Sequence, residues 1–416
     1  MNSITAKDPK KKSGATKKSV VTTALRVKVG PERIILGDGL QPFMFQTKKG
    51  TLFLQAQTSP TPGFKIAATN PIPGYGHFAS VVSRNHGKTW GRWLPEPWTK
   101  RLAYFEGAYT ALSDGTIQMV EWIADCTSKK GIFHAILWES KDDLETIKGP
   151  IMATIDLPQA KAGGFDDHGN PYSGLCFHRT ILELPGGDLL AAIYGWFEGD
   201  DTPCTYVPKV CKYRCILLRS SDRGRHWSYT STIAVDPMVG EEGFDEPVMI
   251  RLSKGPKAGR LICLMRTGSF KGVIYQAISD DEGRSWSKPH ALDLRGVDPD
   301  LIEMADGTLV CAVGWRVEYI KLPDGTHRSV DWEGAGKPPL HRGTNYLAFS
   351  RDQGKTWTQI TPFQFEPHGP SLSTFYTTVC ETAPGRLFVC YDIGSWGGQA
   401  VRYVAGREVE ISHAES

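Results

Sequence analysis

The segment Ser279–Trp286 reads SDDEGRSW, and the chain returns to nearly the same turn three more times. SSDRGRHW runs from Ser220 to Trp227, SRDQGKTW from Ser350 to Trp357, and SRNHGKTW from Ser83 to Trp90 with Asn85 in place of the acid. In the shared pattern S-x-D-x-G-x-x-W, the Ser and Asp side chains are suited to bond backbone groups of their own turn, and Gly takes a left-handed residue. The Trp is a large apolar plug between neighbouring sheets. A degraded copy, SKDDLETI from Ser140, lacks the Gly and the Trp.

These turns alternate with a second element, an apolar run, a tight turn ending in Gly, and another apolar run. Its copies are PFMFQTKKGTLFLQAQ, AYTALSDGTIQMVEW, RTILELPGGDLLAAIYG, PVMIRLSKGPKAGRLICLMR, PDLIEMADGTLVCAVGW and TTVCETAPGRLFVCYD, with turn glycines Gly50, Gly115, Gly187, Gly259, Gly307 and Gly385. Hairpin turns of this kind place a residue at positive φ, where a Cβ clashes. The flanking runs are rich in Leu, Ile and Val at strand length. Six units of four strands predict an all-β fold, a six-bladed β-propeller of four-stranded antiparallel blades. No turn copy follows Gly385, and the strand-like ALRVKVGPERIIL (residues 24–36) is expected to supply the missing outer strand. Residues 24–416 then form one propeller domain behind a basic tail, residues 1–23, expected to be disordered.

Equivalent hairpins allow equivalent positions to be compared. Nine residues before each turn glycine lies the start of the innermost strand, at Gln41, Glu106, His178, Asp298 and Tyr376, with Glu246 in the hairpin whose turn is longer. Seven residues after each glycine the returning strand reaches the same end, at Gln57, Trp122, Tyr194, Arg266, Gly314 and Asp392. Most of these are polar where core packing favours Val or Leu. Convergent Glu, Arg, Tyr, His and Asp on rigid strand ends suit a polar-substrate pocket; the plainer reading is solvated strand ends.

The S-x-D-x-G-x-x-W turns resemble the Asp box of the sialidase superfamily, which implies a six-bladed propeller whose boxes hold blades away from the active face. The likeness extends to single residues. Glu246-Pro247 matches the family's Glu-Pro pair, Arg266 in LMRTG its following Arg, and Tyr376 the Tyr that opens the last blade, while Asp392 stands where a Glu is usual. The resemblance implies that Tyr376 is a nucleophile, Glu246 its base, and Arg266 a grip on an anionic group of the sugar through two parallel hydrogen bonds. Arg316, two residues past the equivalent position at Gly314, is a candidate for the family's third carboxylate-binding arginine. Two features depart from the family. Leu40-Gln41-Pro42 replaces an Arg-Ile-Pro triplet, and Thr51–Ser113 contains no Asp to act as acid/base, offering His77 instead.

The leading expectation is an exo-acting glycoside hydrolase of sialidase type that cleaves a terminal, acidic sugar, with Gln41, Glu106, Asp298 and Asp392 among its substrate contacts. The alternative is a polysaccharide lyase, with His77, His178 and Tyr194 moving protons and Arg179 and Arg266 neutralising a uronate. A third reading is a non-catalytic glycan-binding propeller. Asp166 and Asp167, in GGFDDHGNPYSG, supply the missing acid or simply form turns. No cofactor or metal is expected.

Composition narrows the field. The chain has 416 residues, 40% hydrophobic and 22% charged, with a net charge of +3. Six lysines against Asp8 in the first eighteen residues give a local +5 and leave −2 elsewhere. No basic stripe argues for nucleic acid, and no run reaches the roughly 18 to 20 apolar residues of a membrane span. The partner expected is an oligo- or polysaccharide. Of nine cysteines, Cys263, Cys311 and Cys390 sit in apolar runs and read as core; Cys204, Cys211 and Cys215 cluster in a loop that suits a disulfide or a metal, without the paired spacing of a zinc ribbon. The resemblance implies a secreted or periplasmic enzyme, although no signal peptide is visible at the start.

Overall fold

Ser279 ends a strand and pairs with Leu261, two residues beyond Gly259. The same register recurs along the chain: Ser83 faces Leu52, Ser140 faces Ile117, Ser220 faces Leu189 and Ser350 faces Leu309. The two sequence repeats are therefore locked to each other. All six turn glycines sit at φ between 74° and 96°, the left-handed region that strains any residue with a Cβ. The computed structural model describes residues 25–58, 78–96, 107–165, 171–172, 174–324, 327–329, 333–334, 336–364, 373–394 and 402–413.

Among these residues the chain is all β, built of four-strand antiparallel ladders. The first runs Leu40–Gln46, Leu52–Gln57, Phe78–Ser83 and Gly91–Arg92; the second Ala108–Ala111, Ile117–Val120, Ile132–Ser140 and Lys148–Asp156. The third is Gly174–Glu183, Leu189–Gly195, Arg214–Ser220 and His226–Ala234, and the fourth Asp245–Arg251, Leu261–Arg266, Val273–Ser279 and His290–Arg295. The fifth is Val297–Glu303, Leu309–Gly314, Asn345–Ser350 and Thr358–Pro362. In the sixth, Thr377–Ala383, Arg386–Ile393 and Tyr403–His413 are joined by Leu25–Val29, which pairs with the last strand from Leu25 opposite His413 to Val29 opposite Val409. The N-terminal strand thus takes the place expected for it. No helix of the described residues is long and apolar enough to cross a membrane.

One feature departs from six separate units. The second and third ladders share a nine-stranded sheet, because the additional strand Ile123–Cys126 pairs with both Ile132–Ser140 and Gly174–Glu183 and because Lys148–Asp156 runs parallel to His226–Ala234.

Successive ladders bury apolar faces against each other. Phe53 and Trp93 of the first ladder's segment pack with Met119 and Trp138 of the second, and Leu137 and Ala153 with Phe177 and Ile193 of the third. Leu190 and Leu217 meet Met249 and Cys263; Ile262 and Leu264 meet Cys311 and Tyr346; Val310 and Leu347 meet Val379 and Leu387. The last cluster joins Phe388 and Cys390 to Met44 and Leu54 of the first ladder. Each fully buried aliphatic side chain contributes roughly 1.5–3 kcal/mol. Cys263, Cys311 and Cys390 belong to this packing, and burial pushes their thiols up. Cys204, Cys211 and Cys215 are free thiols, so the loop carries no disulfide, and no group of three or more His, Cys, Asp or Glu among the described residues could hold a metal. Cys215 sits in a strand of the third ladder and donates to the Phe244 carbonyl at 3.4 Å.

The S-x-D-x-G-x-x-W turns join the outer two strands of the first, third, fourth and fifth ladders. Ser279 Oγ accepts the Gly283 N–H at 2.9 Å and donates to Asp281, whose carboxylate accepts the Ser285 N–H at 2.9 Å and its hydroxyl at 2.6 Å. A Cβ on Gly283 would lie 2.1 Å from Leu217 of the preceding ladder, so Gly sets the sheet spacing. The degraded copy is wired alike: Leu144 N–H donates to Ser140 Oγ at 2.9 Å and Thr146 to Asp142. Leu144 holds φ 68° in the glycine's place. A left-handed non-glycine costs of order 1–2 kcal/mol, and burying the Leu side chain beside Trp93 and Ile147 offsets that. The tryptophans seal the seams: Trp357 Nε1 donates to Gln276 and Trp286 Nε1 to Ser231, each in the preceding ladder.

Asp281 is held down to about 2, first by the Ser285 hydroxyl, then by its N–H and by Ser279. A depressed folded-state value means that its contribution is present above the ordinary 3.8 and lost as pH falls through about 2. Asp281→Asn should keep the fold, since Asn85 makes the corresponding bonds to Thr89. Urea unfolding followed from pH 6 to pH 2 should show a shallower acid loss for this variant than for the wild type.

Candidate active site

The inner strands begin irregularly. The pairing of the first ladder slips between Leu40 and Phe43, of the fourth between Asp245 and Val248, and of the fifth between Val297 and Asp300. In each slip stands a residue at positive φ followed by proline: Gln41 at 52°, Glu246 at 40° and Asp298 at 47°. The third ladder slips between Phe177 and Ile181 around Arg179, at φ 53°, and Phe375, at 64°, precedes Tyr376. A bulge re-aims the side chain it carries, and non-glycine residues in this region cost of order 1–3 kcal/mol each, a strain that gathers at functional sites. Here it turns Glu246 and Asp298 toward neighbouring ladders.

Tyr376 donates its phenol to Glu246 Oε1, and Arg266 Nη1 donates to the same oxygen at 2.6 Å and to the phenol oxygen at 3.3 Å. Glu246 Oε2 accepts the Asp298 N–H at 2.9 Å, so its orientation is set from both sides. Burial first, then the negative charge of Glu246, raise the Tyr376 hydroxyl well above its ordinary value; it remains a phenol with a carboxylate positioned to take its proton. Arg316 lies over the Tyr376 ring with its guanidinium carbon 5.5 Å from the centroid, and Nε donates to Thr374 O at 2.9 Å.

Asp298 links this group to the third ladder. Its carboxylate accepts from Arg179 and stands 3.1 Å from His178 Nε2, while His178 Nδ1 faces Pro247 O at 3.1 Å. Burial works against ionised Asp298, but Arg179 and the hydrogen bond with His178 together outweigh it and hold the carboxyl below the ordinary range. Arg179 also donates to Thr377 O at 2.8 Å and lies 3.4 Å from Asp300. Tyr194 is buried, accepts from Trp122 Nε1 at 3.0 Å and meets the His178 ring edge-on.

Asp392 is fully buried. Its oxygens accept from Gln41 N at 2.7 Å, Ser373 Oγ and Thr374 N at 2.8 Å, and the Thr374 hydroxyl. Burial raises this carboxyl even so. It clamps the start of the first ladder to the segment before Tyr376, and Gln41 reaches Gln57 at 2.6 Å. The predicted residues Tyr376, Glu246, Arg266, Arg316, Asp298, His178, Arg179, Tyr194, Asp392 and Gln41 therefore meet in one connected network. His77, Glu106, Asp166 and Asp167 lie outside the described residues.

Several members escaped the sequence reading. Glu242 Oε1 accepts from Arg266 Nη2 at 2.9 Å, Ser269 Oγ sits 2.7 Å from the same nitrogen, and Asp245 Oδ2 is 4.0 Å from Arg266 Nε. Their signal was local: GEEGFDEP, Gly240–Pro247, packs four acids ahead of the fourth ladder. Both Arg266 Nη groups expected to grip an anionic sugar are thus engaged by protein carboxylates.

The BNR repeat-like domain matches residues 140–389 of this chain. The chain belongs to that family, within the sialidase-like superfamily. No curated protein matches it. Among solved structures, a protein of unknown function from Dyadobacter fermentans is similar at TM-score 0.62 and 19% identity, covering 93% of this chain and 99% of that one. The GH93 α-L-arabinofuranosidase of Fusarium graminearum is similar at TM-score 0.56 and 12% identity, over 92% and 98% of the two chains. The Hadza microbial sialidase Hz136 is similar at 0.55 and 12%, over 90% of this chain and 66% of that one. At these identities the likeness establishes a fold shared by glycoside hydrolases.

Arg179 and Arg316 should behave differently when removed. Arg179→Met leaves Asp298 and Asp300 buried without their countercharge and should lower stability by about 3–5 kcal/mol. Arg316→Met, which breaks hydrogen bonds to Thr374 and Ser269 but no carboxylate pair, should cost about 1–2 kcal/mol. Urea unfolding of both variants checks the difference.

Proposed function

We propose that the six ladders are blades of one six-bladed β-propeller domain spanning residues 24–416, closed by the N-terminal strand. On this reading the polar strand ends form the active site of an exo-acting glycoside hydrolase. The S-x-D-x-G-x-x-W turns, at the opposite ends of the strands, are Asp boxes that hold the blades.

The observation that carries the reading is the hydrogen bond from Tyr376 to Glu246, braced by Arg266 and by the Asp298 N–H. A neutral phenol is a poor nucleophile until its proton leaves, and Glu246 is placed to accept that proton as the Tyr376 oxygen bonds to the anomeric carbon. The glycosidic C–O bond breaks in the same step, and the leaving oxygen takes up a proton that enters through the opening. Water then attacks the anomeric carbon of the glycosyl-tyrosine and gives up one proton to solvent, the C–O bond to Tyr376 breaks, and the departing phenol oxygen takes back the proton held by Glu246 as the sugar is released. Arg266 and Arg316 steady negative charge on the phenol oxygen as it develops.

The lyase reading fares less well. Of its proton-moving residues, His178 has both ring nitrogens facing acceptors, Asp298 and Pro247 O, Tyr194 accepts from Trp122, and His77 lies outside the described residues; Arg179 is paired with Asp298.

Hydrolysis of a chromogenic glycoside panel, read by product mass, tests the proposal. Products should carry one added water, whereas elimination adds none. Glu246→Gln should lower kcat by roughly 10²–10⁴-fold and Tyr376→Phe by at least as much. Full activity in Tyr376→Phe would end the Tyr/Glu mechanism.

A further inference from the structure

Arg266 has four terminal N–H groups, and the protein supplies an acceptor for each. Nη1 bonds Glu246 Oε1 at 2.6 Å and the Tyr376 oxygen at 3.3 Å; Nη2 bonds Glu242 Oε1 at 2.9 Å and Ser269 Oγ at 2.7 Å. A guanidinium recognises a carboxylate by presenting two parallel N–H bonds along one edge. Glu242 and Glu246 already occupy the Nη groups that such an edge requires. The side chain is 3% exposed.

Glu242 holds this place by construction. Its N–H donates to Thr267 O at 3.1 Å and its carbonyl accepts from Tyr213 N at 2.7 Å, while Glu241 N and Phe244 N make matching bonds to Thr267 O and Tyr213 O. Gly240 and Gly243 flank it at φ 58° and 83°. A Cβ there would lie 2.1 Å from Thr267 O and 2.5 Å from Tyr213 O, so only glycine lets the loop seat so deeply. The neighbouring Glu241 carboxylate accepts the Phe270 and Lys271 N–H groups, which fixes the loop that carries Ser269. Ser269 in turn donates to Glu242 Oε1 at 3.0 Å.

The second oxygen of Glu242 and Oδ1 of Asp245 are buried without a hydrogen-bond partner. Arg266 Nε is likewise buried without a partner, 4.0 Å from Asp245 Oδ2, so the acids that surround the guanidinium already crowd it, and a further carboxylate would add like charge to a desolvated cluster. Arg316 does not reverse this. It is half-buried, with Nε on Thr374 O and Nη1 on Ser269 Oγ, so each two-nitrogen edge it could present includes a nitrogen already bonded.

We propose that Glu242 is a built-in carboxylate that takes the arginine face an acidic sugar would need, so that the site accepts a glycone bearing hydroxyl groups and no carboxylate. This rests on the glycosidase reading above and replaces the acidic sugar implied by the family resemblance with a neutral one.

The test compares sugars that differ only at C6, hydroxymethyl against carboxylate: nitrophenyl glucoside with glucuronide, and galactoside with galacturonide, in both anomers. Two measurements run in parallel on the full chain, kcat/KM for the wild type and calorimetric binding of the free sugars to Tyr376→Phe. The neutral member of a pair should be favoured by about tenfold or more. Glu242→Gln, and separately Glu242→Ala, should move that ratio toward the acidic member by about tenfold. A structural defect alone would weaken both members together. Preference for the acidic member, or a ratio unmoved in both variants, overturns the inference. If nothing is cleaved, the glycosidase reading falls, and the binding ratio alone decides this one: neutral preference supports it, while equal binding or no binding of either sugar overturns it. If neither variant folds, the wild-type ratio decides.

Discussion

A four-stranded sheet that is apolar on both faces cannot stand in water alone. The second strand of every ladder is buried almost throughout, as in Leu261–Arg266 and Leu309–Gly314, and each face finds cover only on the next ladder. Six such requirements, the last satisfied by the packing of Phe388 and Cys390 against Met44 and Leu54, leave a ring as the arrangement that exposes none of them. The polar strand ends then have no choice of company. Residues as distant in sequence as Gln41 and Asp392 touch because the hydrophobic seams leave one place for both.

Within that place the charges are arranged against solvation. Asp298, Asp300 and Arg179 are buried together, as are Glu242, Glu246 and Arg266. Burying ions is expensive unless each is paired and hydrogen-bonded, and the pairing here is dense. The result is stiffness: Glu246 is fixed by an arginine, a phenol and a backbone amide at once. Arrangements of this kind favour preorganisation over adaptability.

Much of this was legible in the sequence, and the reasons are physical. The hairpin glycines announce themselves because positive φ excludes nearly everything else. The four polar turns repeat because the same hydrogen bonds need the same atoms. Leu144 obscured the fifth copy because side-chain burial compensates for backbone strain at that position. The ring positions were readable by counting from the glycines, which brought Tyr376, Glu246 and Arg266 together correctly. Glu242 was not, since a loop residue has no period to betray it and its partner is twenty-four positions away. The Gln41–Asp392 contact was invisible for another reason: it uses a backbone N–H, which every residue but proline possesses. Fusion of the second and third ladders depends on the short strand Ile123–Cys126, too brief to carry a pattern.

The strand Leu25–Val29 completes the outer edge of the ladder whose other members lie beyond Thr377. A nascent chain therefore carries its seal from the beginning and has nothing to fasten it to until Tyr403–His413 has been made. Every earlier seam joins neighbours in the chain and forms at modest entropic cost; this one closes a loop that runs from Leu25 to His413. Until it does, the first and last sheets each present a bare apolar face and an unpaired strand edge, and the contact of Asp392 with Gln41 at the strand ends has yet to form.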